Sequence, residues 1–158
     1  MSKTPHSVHG SCVARGGRSA LLRGTPGSGK SDLALRFLST YPDAWLIADD
    51  QVVLTARNQQ VIASAPAALR GLLEVRGLGL LRRAVPAAPH AMPVCLIVDM
   101  MHTGTPPRIA EPRFETLCGV LLPVIPIAPF EASAPLKLAL ALETIGGGAF
   151  PGDDGLLV

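Results

Sequence analysis

The chain has 158 residues, enough to bury a sizeable core, and with 48% hydrophobic and 16% charged residues it is not disordered in bulk. A net charge of +2 with no Lys/Arg run leaves no electrostatic footprint for nucleic acid, and no apolar stretch reaches the ~20 residues of a membrane span. The N-terminal MSKTPHSVHG has no apolar signal-peptide stretch, and Cys12, Cys95 and Cys118 have no metal-binding spacing, so a cytoplasmic protein with free thiols is expected.

Residues 19–23 (SALLR) read as a short buried strand that runs into a glycine-rich loop, GTPGSGKS, at 24–31. Residues 31–40 (SDLALRFLST) place Leu33, Ala34, Phe37 and Leu38 on one helical face. WLIA (45–48) is a second apolar strand, closed by Asp49 and Asp50. Residues 51–55 and 61–65 flank ARNQQ and predict a hairpin. PAAPHAMP (86–93) has no periodicity and reads as a surface loop, followed by a buried strand, VCLIV (94–98), closed by Asp99. Ser133 and Pro135 open a last helix that stops at Gly146-Gly147-Gly148. The alternation predicts an α/β fold with a mixed sheet in one domain, residues 1–158, whose tail from 146 to 158 is loose unless it docks on another subunit.

A strand before GTPGSGKS and an amphipathic helix after it form the context a phosphate-binding loop requires; the alternative is a solvated Gly/Ser turn. Gly24, Gly27 and Gly29 let backbone N–H groups turn toward phosphate oxygens, with Thr25, Pro26 and Ser28 completing the loop. Lys30 supplies a mobile positive charge, and the Ser31 hydroxyl is placed to ligate Mg²⁺. Two acids end the next strand. One is expected to help hold the metal and the other to take a proton from an incoming hydroxyl, unless one merely caps the turn. In LLEVRGLGLL (72–81), Glu74 and Arg76 share a strand face and suit either a metal ligand beside a phosphate clamp or an exposed ion pair. His9 is expected on a strand running antiparallel to the one that enters the loop.

VHG (8–10), GTPGSGKSDLAL (24–35), IADD (47–50) and LLEVRGLGLL, in that order, together resemble the catalytic domain of HPr kinase/phosphorylase in the short form found in alphaproteobacteria. The resemblance implies a phosphate-loop kinase fold similar to phosphoenolpyruvate carboxykinase. It also implies an ATP- and Mg²⁺-dependent protein serine kinase whose partner is the phosphocarrier HPr, typically a homo-hexamer that can also run phosphorolysis. By position, Gly24 to Ser31 would bind ATP, Ser31 and Glu74 the metal, and Arg76 the substrate or subunit edge. Asp50, with Asp49 as the open alternative, would be the base, His9 its neighbour and Arg108 a further catalytic residue. Longer members carry an arginine-containing stretch where this chain has IAPFEAS (127–133), which predicts weak or absent phosphorolysis. Two other readings stand beside this one: another phosphate-loop small-molecule kinase, and a nucleotide sensor that transfers nothing.

Overall fold

The computed structural model describes residues 4–83, 88–109 and 111–150. Its strands are β1 (His6–His9), β2 (Ser11–Arg15), β3 (Arg18–Arg23), β4 (Trp45–Ala48), β5 (Gln51–Arg57), β6 (Gln60–Ser64), β7 (Leu72–Val75), β8 (Gly79–Arg82), β9 (Ala91–Met100), β10 (Phe114–Leu117) and β11 (Val120–Ile127). Two α-helices join them, α1 (Lys30–Thr40) and α2 (Ala134–Thr144).

The main sheet runs in the order β1-β5-β6-β9-β3-β2-β4, with β11 added on β9 and β10 on β11. The sheet is mixed: β3 and β11 lie parallel to β9, whereas the other pairs are antiparallel. Side chains alternate across each strand, and here both faces are buried. Ala20 and Leu22 of β3 and Leu96 and Val98 of β9 point to a cluster with Leu33 and Phe37 of α1 and Leu138 and Leu142 of α2. Leu21 and Ile97 point the other way, into a cluster with Val52, Leu54, Val61 and Ala63 of the β5–β6 hairpin. This second cluster is drawn from strands and their connections, because the sheet curls over itself on that face. Cys12 lies wholly buried in it, and burial pushes its thiol up to about 12, so it is an inert core residue. No helix among the described residues is long and apolar enough to cross a membrane.

Three expectations need correction. Ala91, Met92 and Pro93 are not loop: they open β9 and pair with β6, while residues 84–87 lie outside the described segments. His9 belongs to β1, which pairs with β5; the strand antiparallel to β3 is β2. The chain switches between them at Gly10, where a Cβ would stand 2.7 Å from the Leu22 carbonyl oxygen. Arg76 lies beyond the end of β7, in the turn to β8, so it does not share a strand face with Glu74. Of the tail, residues 151–158 lie outside the described segments, whereas Phe150 stacks edge-on against Phe114 with ring centroids 5.4 Å apart.

Candidate active site

The loop after β3, the start of α1, the β4–β5 turn and the β7–β8 hairpin meet around a cavity of about 380 Å³. Its lining includes His9, Gly27, Gly29, Lys30, Ser31, Asp50, Glu74 and Arg76. Residues distant in sequence are therefore brought to one place. Arg108 is not among the lining residues; it is exposed on the segment after β9.

The loop between β3 and α1 is shaped by its own residues. Gly29 is the N-cap of α1 at φ 99, a backbone conformation that costs a residue with a Cβ. The Lys30 ammonium folds back and donates to the carbonyls of Gly24 (2.7 Å) and Thr25 (2.9 Å). Burial lowers the Lys30 pKa, and the negative charges of Asp49 and Asp50 oppose that shift. The loop and the first turn of α1 thus concentrate N–H groups, the positive end of the helix dipole and one ammonium around the cavity. His102, absent from the sequence expectations, approaches Thr25 with Nε2 3.4 Å from Oγ1.

The two adjacent acids have opposite surroundings. Asp49 is 5% exposed. Its Oδ1 accepts from Ser11 Oγ at 2.7 Å and Ser31 Oγ at 2.8 Å, and its Oδ2 accepts from the Glu74 backbone N–H at 3.1 Å. Three donors fix this carboxylate and through it join β2, α1 and β7. The Asp50 side chain is 70% exposed and faces His9, with Nδ1 3.3 Å from Oδ1. The divergence arises in the backbone: Asp50 has φ 66, and the Gln51 N–H bonds back to the Asp49 carbonyl at 2.8 Å, a three-residue turn. A non-glycine residue held there stores strain, which concentrates at functional sites.

The same contacts test the site against Mg²⁺. Ser31 donates its hydrogen to Asp49, so its oxygen lone pairs remain available to a cation. Glu74 adds an exposed carboxylate on the cavity wall. Mg²⁺ is commonly held by one or two carboxylates, phosphate oxygens and water, and an all-oxygen set of Ser31 and Glu74, steadied by Asp49, fits that habit. The described residues contain no cluster of three or more His, Cys, Asp or Glu able to hold a metal alone.

Sequence reasoning missed Ser11, because its partner Asp49 is remote along the chain and a lone serine carries no pattern. It also missed Arg36 and Phe130. Arg36 pairs with Asp32 at 2.9 Å and donates to the carbonyls of Pro129 and Glu131, which flank Phe130 at the cavity.

The model of the HPr Serine kinase C-terminal domain matches residues 2–85, a span that holds the whole lining except Phe130. HPr kinase/phosphorylase of Limosilactobacillus reuteri is 32% identical over 151 residues, covering 87% of this chain and 44% of the relative. The enzyme of the same name from Leptothrix cholodnii is 38% identical over 147 residues, with the same coverage. The chain therefore spans somewhat less than half the length of these relatives. Among solved structures, the Hpr(Ser) kinase/phosphatase of Coxiella burnetii matches with a TM-score of 0.74 at 22% identity, over 87% of this chain and 94% of that one, a likeness of fold. With the family match covering more than half of the sequence, the chain belongs to the HPr kinase C-terminal domain family.

Proposed function

We propose that the chain is an ATP-dependent protein serine kinase whose substrate is the phosphocarrier HPr, built as a phosphate-loop domain over residues 1–158 with the family's likeness to phosphoenolpyruvate carboxykinase. The observation that carries this reading is the split between the two acids. A buried, triply bonded Asp49 organises the site, and an exposed Asp50 beside His9 is free to accept a proton.

When bound, ATP would supply the γ-phosphoryl group and leave as ADP, and Mg²⁺ would neutralise charge on the phosphate oxygens. The residues of this chain align and neutralise, which is most of what the loose transition state of phosphoryl transfer needs. Gly24 to Ser31 would bind the phosphate chain, with Lys30 adding its ammonium. Ser31 and Glu74 would hold the metal. Asp50 takes the proton from the target serine hydroxyl as the new bond forms, and the His9 imidazole keeps that carboxylate oriented. Arg76, in the turn after β7 and on the cavity wall, would serve the substrate or subunit edge. Arg108 stands apart from the cavity and receives no role here. The described segment Ile127–Ser133 carries no arginine, so we expect phosphorolysis to be weak. On the family pattern the chain assembles as a homo-hexamer in the cytoplasm; Leu78 and Leu80, 76% and 68% exposed on the β7–β8 hairpin, offer apolar surface for such contacts.

The test is to incubate the protein with ATP, Mg²⁺ and a panel of phosphocarrier proteins, and to read the product by intact mass. One added phosphate on an HPr serine, absent with Lys30→Ala, supports the kinase. Nucleotide binding with no phosphorylated carrier would replace it with a sensor or with a kinase for another acceptor.

A further inference from the structure

Phe130 is an aromatic residue in a chain with only 4% aromatics, yet its side chain is spent on the surface, 70% exposed. It is not a stray apolar residue on a mobile loop. The ring lines the same cavity as Gly29, Lys30 and Ser31. Its edge lies so close to the phosphate loop that a Cβ on Gly29 would stand 3.0 Å from Cζ. The backbone on both sides is anchored: Arg36 donates to the carbonyls of Pro129 and Glu131, and Asp32, one turn earlier in α1, holds Arg36. Lys137 of α2 bonds Glu131 as well. The helix whose first turn faces the cavity thus carries the clamp that fixes an exposed ring beside that turn. Pro26, Leu35 and Val75 add apolar surface to the same wall.

A flat exposed ring, anchored through its backbone and bordering a phosphate loop, is suited to a flat ligand joined to a phosphate chain. We propose that Phe130 is the stacking platform for the nucleotide base, and that Arg36 is the residue that positions it. This rests on the nucleotide reading above and adds to it the side of the loop on which the nucleoside lies. Stacking uses the π-face that every base shares, so this contact favours nucleosides over bare phosphate chains while discriminating weakly among purines.

Calorimetric titration with Mg-ATP, Mg-GTP and Mg-tripolyphosphate tests the proposal on wild-type protein, Phe130→Ala and Phe130→Tyr. Removing a base–aromatic stack costs on the order of tenfold in affinity. Phe130→Ala is expected to weaken ATP and GTP about tenfold each, to leave tripolyphosphate unchanged, and to be rescued by Phe130→Tyr. Unchanged ATP affinity in Phe130→Ala would overturn the platform and leave the nucleotide site intact, with the ring free to serve the protein substrate. Equal weakening of ATP and tripolyphosphate would also overturn it, because the ring would then be propping the loop. If wild-type protein binds tripolyphosphate as tightly as ATP, no base contact exists. If it binds neither, the nucleotide reading itself falls and the platform with it.

Discussion

Asp49 and Asp50 are identical in chemistry and adjacent in sequence, and the backbone alone separates their roles. Asp49 follows the last residue of β4 and points into the protein, where two hydroxyls and an N–H satisfy it. Replacing it by alanine strands Ser11, which is fully buried, together with two further donors. An unsatisfied buried group costs ~1–3 kcal/mol, so Asp49→Ala should lose roughly 2–4 kcal/mol of stability, measured by urea denaturation, and lose activity through misplacement of Ser31. Asp50 behaves oppositely. Its positive φ is paid for in strain, and its pair with His9 is exposed and worth little. Asp50→Gly should therefore gain about 1 kcal/mol in the same denaturation experiment while transferring phosphate about 10²-fold or more slowly; a loss of stability would show that the turn is not strained. None of this could be read from the letters DD, because it depends on which donors the fold brings to each carboxylate.

At the scale of elements, the strands and helix around the phosphate loop were legible because their signals are local: four buried apolar residues at helical spacing in α1, and short apolar runs ending in glycine or acid. Proline marks where two strands were harder to read. Pro93 lies in the first part of β9, of which only residues 94–98 read as strand, and Pro123 and Pro126 lie in β11, which did not read as one, because proline usually argues against a central strand. Their place was decided by long-range pairing, which includes an ionic tie at the end of β3. Arg23 bonds Asp99 of β9 and Glu115 of β10 with two N–H groups each, and Arg113 reaches Asp99 at 3.3 Å. The hydrogen bond from Arg23 holds Glu115 below the usual carboxylate range. A carboxylate depressed in the folded state stabilises fully above its unfolded pKa, and that contribution is lost as pH falls through the depressed value. Glu115 is partly exposed, so the amount is under about 1 kcal/mol. Thermal midpoints of wild-type and Glu115→Gln protein should differ at pH 7 and converge as the solution is acidified below pH 4; a constant gap would place the effect in packing instead.

For the molecule as a whole, the curled sheet buries apolar side chains on both faces, and the site gathers where β3, the β4–β5 turn and the β7–β8 hairpin converge. The loop motif and the E-V-R-G-L-G run could be located in the sequence because each is contiguous. The relation between them could not, since one buried carboxylate, Asp49, links them through the Ser31 hydroxyl and the Glu74 N–H. Assembly belongs to this scale too. Light scattering is expected to give a mass near six times that of the chain, reduced by Leu80→Asp on the exposed hairpin; a monomeric wild type would count against the hexamer.

The central claim is serine phosphorylation of HPr with Asp50 as the base. Its most direct test is the rate of phosphoserine formation on HPr by wild-type protein and Asp50→Asn at saturating ATP, with ATP affinity measured on the same samples. The account predicts phosphoserine from wild type, ATP affinity in Asp50→Asn within about twofold, and a transfer rate lower by about 10²-fold or more, the usual contribution of a general base. Near-normal transfer by Asp50→Asn would contradict the base assignment, and wild-type protein that binds ATP but leaves HPr unmodified would contradict the kinase itself.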